Sequence, residues 1–168
     1  MSWAASQFCF QILIFYVKYI PGNVFVNTAL QAVIDVIACY NAGILAFNIG
    51  TKNAMTVSYA IATVGGGVLL FAETEEIILI SLVLTRFGVD CAYTLTYALT
   101  SEEFPSSLSA RVFGLCTLSA SVWTIMSPLV AEIKEPVPIL SLVSVCSIST
   151  IGSYILSKQK NNLKDFEN

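Results

Sequence analysis

Six apolar runs, each 18 to 24 residues long and divided by short polar breaks, leave this chain very few folds. They occupy residues 3–20, 24–47, 53–72, 77–99, 109–131 and 137–156. A helix needs about 20 mostly apolar residues to cross the hydrocarbon core of a bilayer. Inside lipid the backbone N–H and C=O groups have no water to bond, so such runs must close their hydrogen bonds internally, as helices. The expected fold is all-α, a polytopic membrane bundle of six transmembrane helices over residues 1–157, with a polar, frayed tail at 158–168. Composition bears on one point. Only 11% of the 168 residues are charged and 56% are hydrophobic, whereas soluble domains carry about 25% charge. There are too few charges to cover a water-facing surface, so the lipid bilayer is the first expected partner.

The breaks are chemically distinct. PGN at 21–23, NIGTKN at 48–53, ETEE at 73–76 and EIKEP at 132–136 are short, while SEEFPSSLSARVFG at 101–114 is the longest polar interruption. Pro136 and Pro138 suit the start of the sixth span. The opening MSWAASQFCFQILIFYVKYIPG imitates a signal peptide, yet it lacks a positive leading region and a small-residue cleavage site. A retained first span is the reading it supports. Six spans place both termini on one side, together with Lys52, Arg111, Lys158, Lys160 and Lys164. The other side receives Lys18, Lys134, Glu73, Glu75, Glu76, Glu132 and Glu135. Positive residues favour the cytoplasmic face, so both termini and the 101–114 loop are expected there.

Several functions are excluded or disfavoured. A net charge of −3 gives no basic footprint for nucleic acid. The chain has no histidine, which removes imidazole metal sites and histidine-based triads. Cys9, Cys39, Cys91, Cys116 and Cys146 lie singly inside apolar runs, without a CxxC, and read as reduced small hydrophobes. The GGG at 65–67 falls inside a span and lacks the strand context of a phosphate loop. No enzyme activity, cofactor or metal is expected.

What the spans do carry is polar striping. An ionisable group at mid-bilayer costs about 2.5 kcal/mol or more, so it normally faces protein or water. In the fourth span Arg86, Asp90, Tyr93, Thr94, Tyr97 and Ser101 share one helical face, with Leu84, Leu95 and Leu99 on the other. Arg86 and Asp90, four apart, pair either as part of a cavity wall or as a structural ion pair. In the second span Asn27, Gln31 and Asp35 follow at four-residue steps, with Asn41 nearby. An unpaired Asp35 would be protonated or hold a cation; its roles are solute binding and proton coupling, or bonding between helices. In the fifth span Gly114, Thr117, Ser121, Thr124 and Pro128 share a face, and Pro128 invites a kink. Ala62 and Gly66, beside Gly65 and Gly67, make a close-packing surface on the third.

Glu102-Glu103-Phe104-Pro105, followed by Arg111 and Gly114, resembles the E-x-[FY]-P…R…G signature of the major facilitator superfamily. In that family it follows the fourth helix of the C-terminal six-helix half, on the cytoplasmic side. Gly22-Asn23 with an acid thirteen residues after the glycine at Asp35, and Arg86-Phe87-Gly88, are similar to the branch of organic cation and anion transporters and their synaptic-vesicle-protein relatives. The resemblance covers residues 1–157 and implies half of a facilitator fold, two inverted three-helix repeats.

There are departures. Arg111 stands six residues after Pro105, a longer step than the family's. The usual D-R-x-G-R-[RK] loop is here Phe47-Asn48-Ile49-Gly50-Thr51-Lys52. The fifth span has Ala120-Ser121-Val122-Trp123 where organic cation carriers often hold an acid.

The resemblance implies a half-length carrier moving a small organic solute by alternating access. Its pathway would be lined by Asn27, Gln31, Asp35, Arg86, Asp90, Tyr93, Thr94, Tyr97, Thr117 and Ser121. A second six-helix half, as a homodimer or a separate chain, would supply the opposite wall. The alternative is a non-transporting structural subunit of a larger membrane complex, derived from a carrier fold.

Overall fold

A computed structural model describes residues 2–16, 24–72, 74–133 and 137–167. Gly22, Asn23, Lys18, Glu73, Lys134, Glu135 and Pro136, named above, lie outside the described residues. Among the described residues there are six helices and no strand: α1 (Ser2–Tyr16), α2 (Val24–Ile49), α3 (Thr51–Leu70), α4 (Glu75–Glu103), α5 (Ser106–Ala131) and α6 (Val137–Glu167). The all-α membrane bundle read from the apolar runs is the fold observed.

Five of these helices, α2 to α6, are long and apolar enough to span a bilayer. The described part of α1 has 15 residues. At 1.5 Å per residue it reaches about 22 Å, short of a core about 30 Å thick. The rest of the expected span 3–20 lies outside the described residues.

Two of the breaks are shorter than hydropathy suggests. Gly50 alone separates α2 from α3, with φ of 81°, a left-handed turn that glycine adopts without a Cβ clash. The 101–114 stretch is mostly helical. Ser101–Glu103 extends α4 and Ser106 opens α5, so only Phe104 and Pro105 interrupt. Proline forces its predecessor out of the helical region, and Phe104 sits accordingly at φ −117°, ψ 135°. The C-terminal residues correct the expectation of a frayed tail from 158. α6 continues to Glu167, through a segment free of glycine and proline and containing lysine, glutamine and leucine, which favour helix.

α3 and α4 form the centre. α3 packs on α4 and α6, α2 lies along α4, and α1 packs on α5, α4 and α6. Exchanging α1, α2 and α3 for α4, α5 and α6 turns the α1–α5 contact into α4–α2. It leaves the α1–α4 and α3–α6 contacts in place, as interlocked three-helix repeats would. Two apolar clusters flank the α3–α4 seam. One joins Phe8, Ile12 and Leu13 of α1 to Leu69, Val89 and Leu142. The other joins Ala38 and Ala42 of α2 to Met55, Tyr59 and Leu95.

Backbones approach closely at that seam. A Cβ on Gly65 would stand 2.6 Å from Thr85 Oγ1, and one on Gly88 would stand 2.6 Å from the Ala62 nitrogen. The small-residue surface expected on α3 is split: Ala62 and Gly65 meet α4, which offers Gly88 in return, Gly66 meets Leu142 and Val143 of α6, and Gly67 meets nothing within 4 Å.

Candidate functional site

The site starts from a guanidinium that lipid cannot accommodate. Arg86 of α4 is 3% exposed. Its Nε donates to Asp35 Oδ1 at 2.9 Å and its Nη2 to Asp35 Oδ2 at 2.9 Å. This side-on, two-bond pairing is the strongest geometry available to an arginine and a carboxylate. Nη1 points to the Phe10 carbonyl at 3.4 Å, and the guanidinium lies 4.2 Å from the centroid of the Phe10 ring. Asp90, one turn further along α4, places Oδ2 3.4 Å from Arg86 Nε. Three helices therefore converge on one cation.

The i+4 pairing with Asp90 that the spacing suggests is present at 3.4 Å, and Asp35 on α2 adds the two shorter bonds. Asp35 is accordingly not the unpaired mid-span acid expected from its own helix. It remains the open edge of the cluster, with its side chain 36% exposed. Asp90 is buried, and neither of its oxygens has a hydrogen-bond partner among the described residues.

Asn27 and Gln31 continue the cluster along α2. With Arg86 and apolar neighbours on α2 and α4 they line a notch of about 10 Å³, room for roughly one water molecule and far too small for an organic solute. Gln31 Nε2 and Asn27 Nδ2 are buried there without partners among the described residues.

On the other side of Arg86 runs an aromatic ladder. Phe10 stacks on Tyr93 at 5.3 Å, Tyr93 meets Tyr97 at 5.1 Å, and Tyr97 meets Trp3 at 4.5 Å and Phe113 at 5.8 Å. The Tyr93 and Tyr97 hydroxyls are bonded at 2.8 Å, and Trp3 Nε1 donates to Thr100 Oγ1 at 2.9 Å. Helices α1, α4 and α5 each contribute rings. Trp3, Phe10 and Phe113 were not singled out from the sequence. Trp3, Gln7 and Phe10 do stand at i, i+4 and i+7, one helical face, which is the signal that would have found two of the three. Thr94 is half-buried next to this ladder on α4.

Thr117 and Ser121 are placed differently. Both are exposed on α5, and the Ser121 hydroxyl donates to the Thr117 carbonyl at 2.8 Å. The buried positions of α5 are Ala120, Ser127 and Ala131, and α1 is its principal contact. The hydroxyl stripe lies beside that contact.

The motif residues between α4 and α5 form a separate cluster. Thr51 Oγ1 donates to Glu102 Oε1 at 2.6 Å, and Lys52 Nζ is 2.8 Å from Glu103 Oε1. Two acids at the C-terminal end of α4 thus meet the N-terminal end of α3, where the helix dipole favours negative charge. Pro105 forms the break, while Arg111 and Gly114 are exposed on the first turns of α5. Ser157 of α6 bonds Asn53 of α3 at the same end of the bundle.

A helical membrane bundle with a buried charge cluster beside an open aromatic face is the class the structure defines. No family model matches the chain. It is similar to solute carrier family 22 member 4 of Mus musculus, at 29% identity over 136 residues, covering 76% of this chain and 24% of that relative. Organic cation/carnitine transporter 2 of Homo sapiens and of Rattus norvegicus are each 28% identical over 112 residues, 64% of this chain and 20% of theirs. The chain spans about a quarter of the length of the mouse relative and a fifth of the other two. Its homologues are multi-pass membrane transporters of the organic cation/carnitine type, and it matches part of their length.

Proposed function

We propose that the chain is one six-helix half of a major-facilitator-type solute carrier. It moves a small organic ion by alternating access with a second six-helix half, in the same polypeptide, a second copy or another chain. The observation that carries this reading is the Asp35–Arg86–Asp90 cluster, partly exposed at Asp35 and joined through the Phe10 ring on Arg86 to the ladder of Tyr93, Tyr97, Trp3 and Phe113. A partly exposed carboxylate beside ring faces attracts an organic cation electrostatically and through its π systems. Asn27 and Gln31 offer further polar contacts, and Thr117, Ser121 and Thr94 extend the polar face across α5 and α4. The one-water notch is too small to hold the solute within this bundle. The solute therefore lies against the open face, and the second half closes over it. Both termini and the Glu102–Thr51 and Glu103–Lys52 contacts are assigned to the cytoplasmic side, where they hold α3 and α4 together while the halves rock.

The test is uptake of a small quaternary ammonium ion by proteoliposomes containing the native protein. Asp35→Asn is expected to abolish uptake while leaving the protein helical and extractable. Unchanged uptake in that variant removes the pathway assignment.

A second reading, a non-transporting subunit derived from a carrier, is favoured by one observation: Arg86 is satisfied within the bundle by Asp35 and Phe10. Mild-detergent extraction separates the two readings. A homodimer or a single six-helix companion supports transport, and a fixed assembly of many subunits supports the structural role.

A further inference from the structure

The charges around Arg86 do not balance, and the imbalance falls on one residue. Asp35 and Arg86 neutralise each other through two 2.9 Å bonds. Arg86 Nε directs its hydrogen to Asp35, so Asp90, 3.4 Å away, receives no hydrogen bond from it. Asp90 is only 4% exposed, and both of its oxygens lack a donor among the described residues. An ionised carboxylate in that position would be a buried charge with no hydrogen bond, an arrangement that burial strongly penalises.

We propose that Asp90 is the proton-binding position of the Asp35–Arg86–Asp90 cluster, carrying a proton that it hands to Asp35. Asp35 Oδ1 and Asp90 Oδ2 flank the same Arg86 nitrogen, at 2.9 and 3.4 Å, which brings the two carboxyl groups together. A protonated Asp90 then donates to Asp35, which already accepts from Arg86. The buried acid then makes a hydrogen bond and the net charge of the cluster is zero. Two carboxyls that share a site hold one proton between them for the same reason.

A metal cation fits less well. No group of three or more acidic, cysteine or histidine side chains suited to an ion occurs among the described residues. Titratable groups on the helices packed against α4 include Cys9 on α1, Asp35, Cys39 and Tyr40 on α2, Tyr59 on α3, and Cys116 and Arg111 on α5. At the ends of these helices lie Lys52 and Glu132. Of these, Asp35 is the one that shares Arg86 with Asp90 among the described residues. Tyr93, on α4 itself, is bonded to Tyr97.

Exchange is direct. Asp35 is the partly exposed member, so water or a cationic group arriving on the open face meets Asp35 first. Asp90 passes its proton to the more exposed Asp35, which releases it to water as the arriving cation takes over the negative charge. No bond other than O–H is broken. As a coupling step this rests on the carrier reading; the protonation itself does not.

Infrared difference spectra of the reconstituted native protein test the protonation. The expected result is a protonated-carboxyl C=O band at neutral pH that disappears in Asp90→Asn and moves in frequency in Asp90→Glu. A wild-type spectrum without the band, or a band unaffected by both substitutions, overturns the proposal. Asn resembles the neutral acid, so Asp90→Asn is expected to keep the wild-type unfolding temperature.

Uptake gives the second arm. For one-for-one exchange, one pH unit across the vesicle should accumulate the quaternary ammonium ion by up to about tenfold, and Asp90→Asn should remove that accumulation. An Asp90-dependent band without any uptake keeps the proton on Asp90 and rejects the carrier. Uptake indifferent to the pH gradient rejects the coupling.

Discussion

Helices α4 and α5 carry similar polar stripes and dispose of them in opposite ways. Half of the membrane window of α4 is buried within the bundle, against 11% for α5. The hydroxyls of α4 donate to its own carbonyls, at Thr85, Thr96, Thr100 and Ser101, but α1 and α2 also reach its stripe, Asp35 and Phe10 meeting Arg86 and Trp3 meeting Thr100. Those of α5 bond mainly to their own backbone, Ser119 to Cys116 and Ser121 to Thr117. A polar residue in an apolar run is therefore an incomplete statement. Its meaning depends on which neighbour the fold brings to it, and α5 presents its stripe to whatever lies beyond these six helices.

The comparison is most severely tested at the cluster. Asp35→Asn with Asp90→Asn leaves Arg86 buried without a counter-charge, and unfolding in detergent should lose about 3–5 kcal/mol. Asp35→Asn alone should cost clearly less than that, because Asp90 remains 3.4 Å from Nε and can take the freed N–H. Purely additive single and double losses would mean that the two acids do not share the arginine.

The helix seam comes next. Gly88→Val sets new carbon against the α3 backbone at Ala62 and Ser58, and a loss of about 1–3 kcal/mol in the same assay is expected. Gly114→Ala on α5, where nothing lies within 4 Å, should show no such loss. Tyr93→Phe removes one hydroxyl contact and should lower stability by about 1 kcal/mol. The smallest effect belongs to α5. Ser121→Ala should change stability by less than about 0.5 kcal/mol while lowering solute uptake.

Much of this was legible in the runs themselves. The apolar lengths determine helices, because lipid leaves the backbone no alternative, and the glycines of α3 announce a close neighbour. The partner of Arg86 was not legible. Periodicity reports which residues share a face of one helix, and it placed Asp90 there correctly. It carries no information on which neighbouring helix arrives opposite, so Asp35 as the bidentate mate needed the packed structure. The same blindness hid Phe113, which joins the ladder from α5. Break lengths were overestimated for a related reason. Serine and glutamate read as polar loop on a hydropathy count, yet they extend helices readily at a membrane surface, and at these two breaks Pro105 and Gly50 interrupt the helix.

The central claim is that the face shared by α2, α4 and α5 borders a watery solute path, whereas the outer face of α6 borders lipid. It is tested most directly by thiol accessibility, with Cys39 and Cys116 first replaced by serine. Ser121→Cys on α5 and Ile155→Cys on α6 occupy positions that are both exposed. A membrane-impermeant thiol reagent is predicted to label Ser121→Cys, with labelling slowed by the quaternary ammonium ion, and to leave Ile155→Cys unlabelled. Equal protection of both positions would place the α5 stripe in hydrocarbon and contradict the account.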